Sequence, residues 1–239
     1  MTTKIALVTG ANRGIGKEIA RQLGQLGHTV LVGARKPGGT TAAELAAEGI
    51  DAREVRLDVL DQVSIEAAAK EIETSHGRLD VLVNNAAIIP PGDNGVPEID
   101  TAVLRQAFET NVIGLVAVTQ AMLPLLRQAE QARIVNLSSE LATMTSVGDP
   151  DSPMSQMRML GYNSSKAAVN MVTVMLANDL RDTGIAVNAA DPGNCQTEMG
   201  GWDAPRTPAQ GAAVAVHLAT LPAKAPTGRL YAESGQLAW

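Results

Sequence analysis

The chain has 239 residues, 45% of hydrophobic type and 18% charged, which is enough to bury one sizeable core and too apolar for global disorder. Its 25 acids against 19 Lys and Arg give a net charge of −6, which argues against a general nucleic-acid binder. The single cysteine, Cys195, has no internal disulfide partner, which argues against a stapled secreted scaffold, and glycine and charge arrive within fourteen residues of the start, before an apolar run long enough for a signal peptide or membrane span. A soluble cytoplasmic protein is expected, with neither nucleic acid nor membrane as partner.

Short β-branched apolar runs recur along the chain, each followed by a stretch long enough for a helix. They predict strands at 5 to 9, 29 to 32, 54 to 57, 81 to 83, 134 to 137, 185 to 189 and, more weakly, 229 to 231. The runs are continuously hydrophobic rather than alternating, as a sheet covered on both faces requires. The repeated βα pattern implies an α/β fold with one doubly wound parallel sheet, Rossmann-like, and a single domain spanning 1 to 239. Gly27 is placed to cap a helix over 16 to 26, Gly184 the helix that starts near Tyr162, and Asp61 the start of a helix running to about 75. The stretch 89 to 97, with three prolines and two glycines, reads as a loop, as does much of 148 to 153.

The first strand leads into Thr9-Gly10-Ala11-Asn12-Arg13-Gly14-Ile15-Gly16, where a helix begins at once. Glycines at a strand-to-helix turn let the backbone approach a pyrophosphate, whose charge is held by the free N–H groups of the helix start. The spacing of the three glycines resembles the short-chain dehydrogenase/reductase family, and other motifs follow in family order. Leu57-Asp58-Val59 resembles its adenine-pocket aspartate. Asn84-Asn85-Ala86-Ala87 resembles its Asn-Asn-Ala-Gly motif, with alanine replacing glycine. Asn111, Ser138-Ser139 and Tyr162-x-x-x-Lys166 match its catalytic positions, and Asp191-Pro192-Gly193 with Thr197 its Pro-Gly turn and the threonine beyond.

The resemblance implies a dinucleotide held by Gly10, Asn12, Arg13, Gly14, Ile15, Gly16, Arg35, Asp58, Val59, Asn85, Ala86, Tyr162, Lys166, Pro192, Gly193 and Thr197. NAD-binding members carry an acid at the end of the second strand. Here residues 30 to 36 contain none and offer Arg35, with Arg13 in the glycine turn facing the same region, so a 2′-phosphate and hence NADP(H) is expected.

Tyr162 and Lys166 are four residues apart, on one face of a helix. A phenol titrates at about 10 and needs its phenolate stabilised to act near neutrality, which an adjacent ammonium provides. Tyr162 is therefore the expected acid/base. Adjacent strand residues point to opposite faces, so only one of Ser138 and Ser139 can touch a substrate oxygen, and the family match favours Ser139. By the same resemblance Lys166 also binds the nicotinamide ribose and Asn111 holds a water on the proton path.

The implied activity is that of an NADPH-dependent carbonyl reductase-like enzyme acting on a small-molecule carbonyl or alcohol. A nucleotide-sensing protein of the same fold, an alcohol or steroid dehydrogenase working oxidatively, and an epimerase or dehydratase are the alternatives. No metal is expected, since His28, His76 and His217 are scattered without ligand spacing. Ala167, Ala168, Val169, Val172 and Leu176 give the Tyr162 helix a small-to-apolar face. That face either meets a twin helix in a homo-oligomer, a dimer or tetramer, or covers the chain's own sheet. Between Ser139 and Tyr162 lie 22 residues that include Met144, Met154, Met157 and Met159, and Met199 and Trp202 follow Thr197. These flexible and bulky apolar groups suggest a broad pocket, closed by 140 to 161 and 197 to 207, that suits bulky or aromatic carbonyl compounds.

Overall fold

The computed structural model describes residues 3 to 36 and 38 to 239. Eight strands form one sheet: β1 (Ile5–Thr9), β2 (Thr29–Ala34), β3 (Ala52–Arg56), β4 (Val81–Asn84), β5 (Arg133–Leu137), β6 (Ala186–Ala190), β7 (Leu230–Ala232) and β8 (Gly235–Leu237). Their order is β3-β2-β1-β4-β5-β6-β7-β8, and all pairs are parallel except β7 with β8. Every residue of β1, β2, β4, β5 and β6 is buried.

That burial divides by alternation. Ala6, Val8, Val30, Val32 and Val83 face one core, shared with α1 (Gly14–Gln25) and α8 (Pro208–Ala219). Ile5, Leu7, Leu31, Leu82 and Ile134 face a second, shared with α3 (Gln62–His76), α5 (Leu115–Leu126) and α7 (Leu160–Asp179). Two-sided covering is why the runs lack an alternating pattern. Two shorter helices are α2 (Thr41–Ala47) and α6 (Met144–Gly148).

Several local expectations shift. Helix α1 starts at Gly14 rather than residue 16, and Gly27, with φ +86°, follows its end as expected. Asp61 accepts from the Val63 N–H and caps α3, which ends at Gly77 with φ +70°. Gly184 also has positive φ but lies beyond α7, which stops at Asp179 with Leu180 as its cap. The glycine therefore reverses the chain in the turn before β6 rather than capping the helix. β8 was not expected, because three residues with one buried neighbour strand carry too little pattern. It also makes the sheet mixed at its edge rather than wholly parallel.

A continuous helical run spans α4 (Thr101–Phe108), a π turn (Glu109–Gly114) and α5. It is long and apolar enough to cross a membrane, yet Val118, Met122 and Leu126 are fully buried against the sheet, the pattern of a core helix. On α7, Val169 is fully buried, Leu176 packs into the sheet core, and Ala168 and Val172 pack around Phe108, Val112 and Leu115. The apolar side chains that α7 turns outward are Met171 and Met175, 61% and 53% exposed, beside Val116 and Leu123 of α5.

Candidate active site

The motif residues gather at the carboxyl ends of β1, β4, β5 and β6. The strand order reverses between β1 and β4, and in open α/β sheets such a switch point opens a crevice for ligands.

Gly10 and Gly14 have φ of +63° and +55°, which the turn out of β1 needs and glycine permits. A Cβ on Gly14 would sit 3.3 Å from Thr197 Cγ2, so the turn and the loop after β6 close on each other. Helix α1 has no acid in its first turn and starts with no side-chain cap, whereas Asp61 and Thr207 cap α3 and α8. Its unpaired N–H groups suit an anionic phosphate.

The turn is braced on all sides. Asn12 O accepts from Thr41 Oγ1 at 2.9 Å, Ile15 packs on the core, and Asn85 Nδ2 donates to Thr9 O and Gly10 O at 2.8 and 3.2 Å. Thr9 Oγ1 accepts from the N–H groups of Asn85 and Ala86. Asp58 Oδ1 accepts from the Leu60 N–H, and Val59 lies against Gly114 of the π turn. Gly193, with φ +68°, donates its N–H to Asp191 Oδ1.

Arg35 is exposed at the end of β2, and no ion pair involving it occurs among the described residues. Arg13, by contrast, pairs with Glu198, one residue beyond Thr197; both side chains are about two-thirds exposed. An exposed pair of this kind is weak and gives way to a phosphate at little cost.

Where the chain leaves β5, Ser139 has extended backbone and its hydroxyl accepts from the Leu141 N–H at 3.1 Å, on the side of the strand end that faces Tyr162. Ser138 points the other way, donating to Asn170 Oδ1 at 2.6 Å beneath α7. Lys166 is buried, its Nζ 5.7 Å from the Tyr162 ring centroid and 2.7 Å from Leu137 O, which takes one of its three donors. Burial lowers the ammonium to about 8. Burial, and then the charge of Asp191, push the Tyr162 phenol up to about 12, against the lowering effect of the neighbouring Ser139 hydroxyl.

Asn111 sits in the π turn, a rare irregularity that favours functional positions. Its carboxamide accepts from the Ile88 N–H and donates to Ile88 O and Ser165 Oγ, which ties the end of β4 to α7. Cys195 is buried, with Sγ near Pro192 O and Gly193 O, and burial raises its thiol, so it is not an activated nucleophile. No motif singles out Glu198 or Asp93, because each acts through a contact distant in sequence.

The fold and this constellation define a dinucleotide-type α/β domain with a Ser-Tyr-Lys-Asn site. Compared with known proteins, residues 4–206 match the family model described as short chain dehydrogenase, and the chain belongs to that family. It is 35% identical over 228 residues to the short-chain dehydrogenase anuI of Penicillium roqueforti, covering 92% of this chain and 90% of that one. It is 34% identical to carbonyl reductase (NADPH) 1 of Sus scrofa, covering 99% and 94%. The solved structure of NADPH-bound carbonyl reductase from chicken fatty liver superposes with a TM-score of 0.87 at 30% identity, over the whole of both chains.

Proposed function

We propose that the protein is an NADP(H)-dependent carbonyl reductase that converts a ketone or aldehyde to an alcohol, reversibly, with Tyr162 as the acid/base. The observation that carries this reading is the buried Lys166 ammonium, 5.7 Å from the centroid of the Tyr162 ring. The residues fit the cofactor: the uncapped start of α1 and the glycine turn suit its pyrophosphate, Arg35 and Arg13 its 2′-phosphate, and the remaining Lys166 donors its ribose hydroxyls. When bound, the cofactor supplies the hydride that the carbonyl carbon receives.

Ser139 polarises the substrate oxygen and Tyr162 gives it a proton. A phenol pushed up to about 12 stays protonated throughout the neutral range and so has a proton to give. Lys166 stabilises the phenolate left behind, and Asn111 continues the proton path toward solvent. Half-buried Met154 and the exposed Met144, Met157, Met199 and Trp202 support a bulky, apolar substrate.

The test is NADPH oxidation by wild type and Tyr162→Phe, with a bulky aromatic ketone and a small hydroxyketone as substrates. The wild type is expected to prefer the aromatic ketone and to lose turnover with Tyr162→Phe, while NADPH binding stays intact. Unchanged turnover in the Phe variant refutes the acid/base role, and a preference for the small substrate refutes the apolar pocket.

A further inference from the structure

The segment 89 to 97 connects β4 to α4, and its proline and glycine content makes it look like no more than a connection. In the structure it clasps the start of α7. That helix has Met159 at its N-cap position, with no side-chain hydrogen bond of its own, so its first N–H groups need partners from elsewhere. They find them on this segment. The Leu160 N–H donates to Asn94 O at 3.1 Å, the Gly161 N–H to Asp93 Oδ1 at 2.7 Å, and the Tyr162 N–H to Asp93 Oδ2 at 2.7 Å.

One carboxylate therefore grips two consecutive amides, at distances typical of charge-assisted hydrogen bonds. One of the two belongs to the residue read above as the acid/base. Gly161 is buried, and a Cβ there would come within 3.1 Å of both carboxylate oxygens, so the approach is close. One turn further on, α7 is held differently: Lys166 by Leu137 O and Ser165 by Asn111. The two ends of the catalytic pair thus have separate anchors.

We propose that Asp93 is a positioning residue for Tyr162, its carboxylate fixing the first turn of α7 so that the phenol meets Ser139 and the substrate oxygen. This rests on the reading of Tyr162 as the acid/base. Misplacing a reacting group by about 1 Å costs on the order of 100-fold in rate. A cap that served stability alone would leave turnover per folded molecule unchanged.

The experiment compares the full-length wild type, Asp93→Ala, Asp93→Asn and Tyr162→Phe with NADPH and an aromatic ketone. Asp93→Ala is expected to lose about tenfold to 100-fold in kcat. Its KM for the ketone and its Kd for NADPH, read by nucleotide fluorescence, should stay within about threefold, because Lys166 keeps its own anchor. Asp93→Asn, which retains one acceptor, is expected to fall between Ala and wild type. It also carries the test if the Ala variant does not fold.

A kcat per folded molecule within about twofold of wild type in the tested variant overturns the proposal, whatever happens to its thermal stability. So does a loss expressed wholly in NADPH affinity. An inactive Tyr162→Phe beside an unimpaired Asp93→Ala sinks the positioning role alone, whereas an active Tyr162→Phe sinks the acid/base reading on which it rests.

Discussion

Gly16→Ala tests the glycine turn through packing. A Cβ on this buried glycine of α1 would lie 2.4 Å from Asn85 Nδ2 and 2.7 Å from Gly10 O. Neither neighbour has room to yield. Asn85 Nδ2 is already bonded to Thr9 O and Gly10 O, and Gly10 O belongs to the turn itself. Overpacking costs about 1–3 kcal/mol. Pushing Asn85 off its carbonyls costs about 1–3 kcal/mol more, and the better helix propensity of alanine returns about 1 kcal/mol. The centre of that range is about 3 kcal/mol, or about 6–12 °C in Tm for a chain of this size. Thermal unfolding followed by circular dichroism measures the stability, and NADPH fluorescence titration reports the turn, which is expected to bind the nucleotide more weakly. A variant with wild-type Tm and wild-type NADPH affinity refutes the argument that helix, turn and Asn85 are packed to contact.

Two further substitutions separate charge from chemistry. Arg35→Asp puts a carboxylate where the 2′-phosphate is expected, so NADPH use should weaken by a few kcal/mol, at about 1.5–3 kcal/mol per charged bond lost, with NADH nearly unaffected. A wild type that already prefers NADH refutes the phosphate role. Burial lowers Lys166 from 10.5 to about 8, so between those values the unfolded chain holds more protons than the folded one. The cost of the buried charge is therefore full below about pH 8 and fades as the pH rises to 10.5. Lys166→Met is expected to be inactive yet more stable by about 2 kcal/mol at pH 7, after allowing for the lost Leu137 O contact, with the gap closing near pH 10.5. Equal urea midpoints at pH 7 contradict the buried-charge account.

The expectations that held are those set by neighbours in sequence. Continuous apolar strands implied a sheet covered on both faces, and the two cores bear that out residue by residue. Glycines spaced for a strand-to-helix turn came out with positive φ at Gly10 and Gly14. A Tyr and a Lys four apart share a helix face whatever surrounds them, and Asp61 caps its own helix two residues on. Such features depend on dihedral preference and side-chain period, which a short window of residues carries.

What the tertiary structure alone decided involves partners far apart along the chain. The sequence spells Gly184 as a helix cap, but α7 stops earlier. It offers Arg13 as a candidate phosphate ligand and does not show Glu198, 185 residues away, with which Arg13 pairs. It contains Asn111 without the π turn that holds it, and Asp93 without the helix start that it grips, 68 and 69 residues on. β8 exists only because β7 offers an antiparallel edge. A hydrogen bond or ion pair depends on distance in space, and only the folding of the sheet brings these groups within reach; composition and periodicity record which side chains are available but not which ones meet.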